Sequence, residues 1–238
     1  NSKDSIYNIM ERCALKEDEE MELKRYVENK NMIFLSTPFS FAAVDRLEKM
    51  GVSAYKIGSG EMNNLPLIEY IAQKNKPMII STGMNDINSI INTIKVVQKY
   101  HNKFALLHTT NLYPTPTHLV RLGAFREMQN IFQNEILGLS DHTVNNYSAF
   151  AAIAMGASII DKHFVDTKRR KGEDVICSMN PKQARELIEY ANEFFVMNTG
   201  EKKPSLEEQV TINFAFSTIV AKKKINKGDV FTFDNLTT

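Results

Sequence analysis

Six short apolar runs, rich in β-branched, aromatic and long aliphatic residues, recur from Met32 onward and alternate with longer segments of helical period. The runs are Met32–Leu35, Ala54–Ile57, Met78–Ile80, Phe104–Leu107, Ile136–Leu139 and Ser158–Asp161. Between them, segments such as Ala42–Lys49 and Ile87–Lys99 repeat apolar residues at three- and four-residue spacing, the stripe a helix buries on one side. Strand, helix, strand, helix is the order of a parallel α/β architecture. Gly51, Gly138 and Gly156 fall where the pattern predicts a helix end or a strand turn. Asn180 and Pro181 predict the cap and first turn of a last long helix reaching Val196.

An open doubly wound sheet and a closed barrel both fit this alternation, and the residues that end each run separate them. Every run stops in a polar cluster: Ser36-Thr37-Pro38-Phe39, Ser59-Gly60-Glu61, Ser81-Thr82-Gly83, His108-Thr109-Thr110-Asn111, Ser140-Asp141-His142 and Lys162-His163. A (β/α)8 barrel gathers all of its strand ends around one mouth, whereas an open sheet spreads them along a line. No Gly-x-Gly-x-x-Gly follows the first run and no Walker loop occurs, so the dinucleotide and P-loop readings lack their phosphate-binding turns. The expected fold class is therefore α/β, a TIM barrel present here as about six βα units.

Past Val196 the texture changes. Residues 198–220 are polar and broken, with a short helical piece near Leu206–Val210 and a strand-like run at Phe214–Val220, and read as a linker. Residues 221–238, with a turn at Gly228-Asp229 and a second strand-like run at Val230–Phe233, read as the beginning of a small β-rich domain. The barrel part is thus assigned to residues 1–197.

Composition narrows the function classes. Of 238 residues 43% are hydrophobic and 24% charged, enough for a buried core, and the net charge of +1 provides no basic field for nucleic acid. No apolar run approaches the ~20 residues of a membrane span. Cys13 and Cys177 lack metal-ligand spacing and read as reduced thiols, which points to the cytoplasm.

Two histidines, His142 and His163, end consecutive runs, so a barrel would bring their imidazoles together; a pair of neutral imidazoles suits an open-site divalent metal. They could equally be strand-end residues hydrogen-bonded within a polar layer. Lys56, Ser59, Ser81, Asn111 and Ser140 offer a cation and several hydrogen-bonding groups able to hold a phosphate or carboxylate. Helix capping and local backbone satisfaction are the structural alternatives, with Ser81 as a cap for the helix beginning near Asn85. Glu61 overhangs the same mouth as a base or a solvated loop carboxylate. His108 reads as a packed strand-end residue, and His101 and His118 as surface residues. Lys168–Lys171 reads as a solvated, mobile run in a long loop whose Asp174 is placed to cover the site.

Six segments together resemble the N-acetylneuraminate (sialic acid) synthase family, with its legionaminic and pseudaminic acid synthases. They are Ser36–Ser40, Lys56–Glu61, Ser81–Met84, Leu112–Pro116, Gly138–Thr143 and Asp161–Phe164, in order along the chain. The resemblance implies condensation of phosphoenolpyruvate with an N-acylated amino sugar such as N-acetylmannosamine. It implies His142 and His163 as ligands of a divalent metal, Mn or Mg, that activates the sugar aldehyde. Thr37, Lys56, Ser59, Ser81, Asn111 and Ser140 would bind phosphoenolpyruvate, Glu61 would serve proton or water steps, and Tyr113 and Asp174 would contact the sugar. The tail resembles the linker and opening of the family's antifreeze-like (SAF) domain, which implies a domain-swapped homodimer in the full-length protein.

Three departures qualify the resemblance. The family's first two barrel strands have no counterpart before Met32, and the antifreeze-like domain breaks off at Thr238, so the chain reads as a fragment with an incomplete site. Val175 follows Asp174 where many sialic acid synthases carry histidine, which leans toward a legionaminate-like substrate. The rival readings are a Schiff-base aldolase or lyase using Lys56 or Lys162, and a non-catalytic sugar-binding protein.

Overall fold

The computed structural model describes residues 5–238, so the first four residues of the barrel part assigned to 1–197 lie outside the described residues. Two helices open the chain, α1 (Ile6–Cys13) and α2 (Glu17–Glu28). Then α3 (Phe41–Met50), β1 (Tyr55–Ile57), α4 (Leu65–Ala72), β2 (Met78–Ser81), α5 (Ile87–Gln98) and β3 (Phe104–Thr109) alternate. The alternation continues through α6 (Leu122–Ile131), β4 (Ile136–Asp141), α7 (Tyr147–Ala154), β5 (Ile159–Lys162) and α8 (Pro181–Met197). As the sequence predicts, Asn180 caps α8, its Oδ1 accepting from the Gln183 N–H at 2.9 Å.

All five strands are parallel and pair in chain order, β1-β2-β3-β4-β5. A doubly wound sheet reverses its strand order at a switch point, and this sheet does not. It also curls. A flat sheet would hold β1 and β5 about 19 Å apart at ~4.8 Å per strand, more than two side chains can bridge. Yet the Lys56 ammonium on β1 lies 3.0 Å from the Asp161 carboxylate on β5. The result is an α/β fold with a curled five-stranded half-barrel. Its convex side packs on the helices through Tyr55, Ile57, Met78, Ile80, Leu67, Ile71 and Val97, all buried.

Three sequence expectations change here. Met32–Leu35 forms no strand: only Phe34 in it is buried, and the Lys56 N–H donation to Ser36 O at 3.3 Å is the single ladder-like bond to β1. An apolar run needs a pairing neighbour along its length to become a strand, and this one has a single contact past its end. Gly138 sits inside β4 rather than at a turn. A Cβ there would meet Ile159 O at 2.3 Å and Leu107 Cδ2 at 2.6 Å, so glycine lets neighbouring strands approach. His101 is buried, not surface, with its Nδ1 accepting from the Lys103 N–H at 3.1 Å.

A second compact unit covers Asn198–Thr238. It contains α9 (Gln209–Ala215), β6 (Val220–Ala221) and β7 (Leu236–Thr237), the last two paired antiparallel. Of the predicted strand-like runs, Phe214–Val220 is strand only at Val220, where β6 begins, and Val230–Phe233 forms no strand. Phe214 closes a helix whose last turn bonds Phe216 N–H to Ile212 O, and Asn235 ties up the second segment by donating to Val230 O and accepting from Thr232 N–H. Local side-chain bonding of this kind competes with strand pairing. Among the described residues no helix is long and apolar enough to cross a membrane.

Candidate active site at the strand ends

Side-chain alternation along parallel strands decides which polar residues enter the mouth. On β4 and β5, Ser140 pairs in register with Asp161, and Asp141 with Lys162. Ser140 and Asp161 face inward, and the next pair faces the helices. One residue further, His142 and His163 return to the inner face, because the period is two.

Within the mouth, Lys56 donates to Ser81 Oγ at 2.8 Å and pairs with Asp161 Oδ2 at 3.0 Å, and Ser140 Oγ donates to the same oxygen at 2.9 Å. Asp161, which opens the Asp161–Phe164 segment, is a member of this cluster as well. Burial works to raise its pKa, but the Lys56 charge and the hydrogen bonds from Lys56 and Ser140 prevail and hold it below the usual value. Ser81 therefore holds a lysine rather than capping a helix; α5 is capped by Asp86.

Ser59 and Asn111 adjoin this cluster through Gly83. The Gly83 N–H donates to Ser59 Oγ at 3.0 Å, and a Cβ on Gly83 would fall 1.8 Å from Asn111 Oδ1. That Asn111 oxygen is buried without a hydrogen-bond partner. Asn85 locks the two loops together by donating to Ser59 O and Gly83 O at 3.1 and 2.7 Å. A side chain at position 83 would therefore have to displace Asn111 and Ser59, a constraint that only the packing reveals.

Beside it stands an aromatic and imidazole cluster. The ring centres of His142 and His163 are 5.4 Å apart, and Tyr113 lies 4.1 Å from the first and 5.7 Å from the second. His142 Nδ1 is 2.9 Å from Thr110 O. A carbonyl only accepts, so Nδ1 carries the proton and Nε2 keeps its lone pair for a ligand. Burial pushes the His142 pKa below its usual value; the Thr110 carbonyl opposes this in part, and His163 adds to it. Burial, with the nearby Asp174 carboxylate, raises the Tyr113 pKa. His163 Nδ1 is 3.5 Å from Asp174 Oδ2.

The donor set fits a divalent ion. Two imidazoles bound about 2.1 Å from one ion at a tetrahedral angle have ring centres about 5 Å apart, close to the spacing here. His163, Asp174 and Cys177 also offer donor atoms all within 4.8 Å of one another.

The remaining candidates are held by other contacts. Glu61 is held locally, accepting from Asn64 Nδ2 at 2.8 Å. Thr37 stands near Gly58, with its Cγ2 3.8 Å from where a Gly58 Cβ would be. His108 is buried and bonds Val120 O at 2.8 Å, a packed residue as its position predicts. Lys168 is exposed, as expected, but it is also anchored. Its ammonium donates to the carbonyls of Val175, Ile176 and Ser178 and ties down the loop that carries Asp174.

The curled parallel half-barrel carries a cation, hydroxyls and paired imidazoles at its strand ends, the face where barrel enzymes carry their active sites. Residues 1–203 match the NeuB family, and the chain belongs to that family. It is 39% identical over 221 residues to the N,N'-diacetyllegionaminic acid synthase of Campylobacter jejuni, covering 91% of this chain and 66% of that protein. It is 37% identical over 238 residues to the uncharacterized protein MJ1065 of Methanocaldococcus jannaschii, covering 99% of this chain and 70% of that protein. The crystal structure of N-acetylneuraminic acid synthetase from Leptospira borgpetersenii superposes with a TM-score of 0.81 at 27% identity, covering 87% of this chain and 73% of that one. The chain thus spans about two thirds of the length of the curated relatives it matches.

Proposed function

We propose that this chain carries the larger part of a nonulosonic acid synthase that joins phosphoenolpyruvate to an N-acylated amino sugar, either N-acetylmannosamine or a diacetamido-trideoxyhexose. The five strands then belong to a (β/α)8 barrel, and residues 198–238 to the linker and opening of an antifreeze-like domain that pairs subunits in a full-length homodimer. The reaction is placed in the cytoplasm, in keeping with two free cysteines.

The observation that carries the reading is the adjacency of two clusters on one strand-end face. The Lys56, Ser81, Ser140 and Asp161 group lies beside the His142, His163 and Tyr113 group. Lys56, with Ser59, Ser81, Asn111, Ser140 and Thr37, would bind the phosphate and carboxylate of phosphoenolpyruvate, the ammonium and hydroxyls as donors and Asn111 through its amide NH2. Anion binding would draw the Lys56 ammonium from Asp161 and free a carboxylate for the proton traffic at the new bond.

His142 and His163 would hold a divalent ion, Mn or Mg, which supplies Lewis-acid polarisation of the sugar carbonyl when bound. Tyr113 and Asp174 would orient the sugar, and Glu61 would reach the water on movement of its loop. C3 of phosphoenolpyruvate bonds to the aldehyde carbon, water adds at C2, and phosphate leaves, so the product is a 2-keto sugar acid plus phosphate. A Schiff-base route gains no support from the lysines: Lys162 is sealed in a buried ion pair, and Lys56 is held as a paired ammonium.

The test is phosphate release from phosphoenolpyruvate by the full-length protein with each sugar in turn. EDTA should abolish it and Mn restore it. Release that persists in His142→Ala or His163→Ala would remove the metal assignment.

A further inference from the structure

The two imidazoles stand one residue past the end of the ladder that carries them. The β4–β5 register closes with Asp141 opposite Lys162, so His142 and His163 lie beyond its last paired residues. An ion bound by both needs their ring nitrogens held at a fixed separation, and backbone pairing between these two strands no longer sets it.

At that point the Lys162 side chain takes over from the backbone. Its ammonium donates to Asp141 Oδ2 at 2.5 Å and to Thr143 O at 2.7 Å, with Thr143 Oγ1 at 3.4 Å. Asp141 and Thr143 are the residues on either side of His142, and Lys162 itself directly precedes His163. Asp141 in turn accepts from the Thr143 N–H and Oγ1 at 3.0 Å each, and Thr143 Oγ1 shares a 2.9 Å bond with Ser148 Oγ on α7. One cation thus brackets the first imidazole from both sides while standing next to the second along the chain. Both side chains of the pair are almost wholly buried, so water offers neither a replacement partner.

Stability alone is a poor account of such a pair. Two charges at this depth repay their desolvation badly, and apolar groups of similar volume can often replace them at little cost. What apolar groups do not reproduce is a directed link between two strand ends.

We propose that the buried Asp141–Lys162 pair is the positioning device of the metal site: it fixes the separation of His142 and His163 and so sets the affinity for the divalent ion. Its side chains face the helices and touch neither ion nor substrate. The inference rests on the reading that the strand-end histidines hold an ion.

The test removes both charges together, Asp141→Asn with Lys162→Met, which leaves no unpaired buried charge and keeps an acceptor for the Thr143 N–H. Metal-stripped full-length protein is titrated with Mn(II), and the free ion is read by electron paramagnetic resonance. The expected result is a double variant with the circular dichroism of the wild type that binds Mn about 10–100-fold more weakly, the scale of losing the supports behind a ligand. Its KM for phosphoenolpyruvate at saturating Mn should stay unchanged. Wild-type Mn affinity in the folded variant overturns the positioning role and leaves the histidine reading standing. An equal loss in the KM for phosphoenolpyruvate also overturns it, because the pair would then be a general support of the strand ends. Should the double variant fail to fold, Thr143→Val replaces it: a smaller loss of Mn affinity is expected, and none overturns the proposal. No saturable Mn binding by the wild type overturns both readings.

Discussion

Two lysine–aspartate pairs involve consecutive residues of β5, Asp161 and Lys162, and meet opposite fates. Asp161 and Lys56 pair across the mouth, with side chains 43% and 19% exposed. Asp141 and Lys162 pair at 2.5 Å on the helix side, with side chains 2% and 1% exposed. The second pair is saturated: Lys162 also donates to Thr143 O at 2.7 Å, and Asp141 accepts from the Thr143 N–H and Oγ1 at 3.0 Å each. The first pair keeps access to solvent and to hydroxyls that have few other obligations. One residue of strand offset separates a pair suited to holding the fold from a pair suited to exchanging partners.

The largest effect expected from breaking this contrast is on the sealed side. Asp141→Ala leaves an ammonium buried without its counter-charge, and urea unfolding should show a loss of about 3–5 kcal/mol. Lys56→Ala tests the open side. It should lower turnover of the full-length protein about 10²–10³-fold, the scale of losing one charge-stabilising group. The same urea measurement should shift by at most about 1 kcal/mol, because the pair it breaks is partly exposed. A large stability loss in Lys56→Ala, or a small one in Asp141→Ala, would erase the distinction.

Gly83→Ala sharpens it further, because it inserts a methyl carbon against Asn111 without touching a charge. Overpacking should cost about 1–3 kcal/mol and weaken phosphoenolpyruvate binding, measurable as a raised KM in the full-length protein. The smallest effect is at Glu48, whose carboxylate accepts from Tyr55 and Lys76 in the helix layer. Burial works to raise its pKa, but those two partners lower it overall. Its contribution is therefore present above the unfolded-state value and lost as pH falls through the lower folded-state value. Glu48→Gln should cost at most about 1 kcal/mol near neutral pH and flatten the acid limb of a stability-versus-pH curve.

Much of this organisation can be read in the chain itself. The five central strands, the helices α3, α5 and α8 and the cap at Asn180 follow from periodicity and capping chemistry. His142 and His163 are visible because each ends an apolar run. Asp161 and Cys177 are harder to see. β5 has no polar–apolar alternation, since parallel strands are covered on both faces, so nothing local says whether Asp161 or Lys162 points inward. Cys177 lies in a loop with no period at all; its approach to His163 follows from the Lys168 clamp and the Met179 return, both non-local.

The amino-acid order, through apolar spacing and turn residues, determined the alternation of strands and helices and the placement of polar clusters at the strand ends. The facing of each side chain, the curl that brings β1 to β5, and the partner each charge takes were decided by tertiary packing. They depend on which surfaces the helices cover, and that covering is a property of the assembled layers rather than of any single segment.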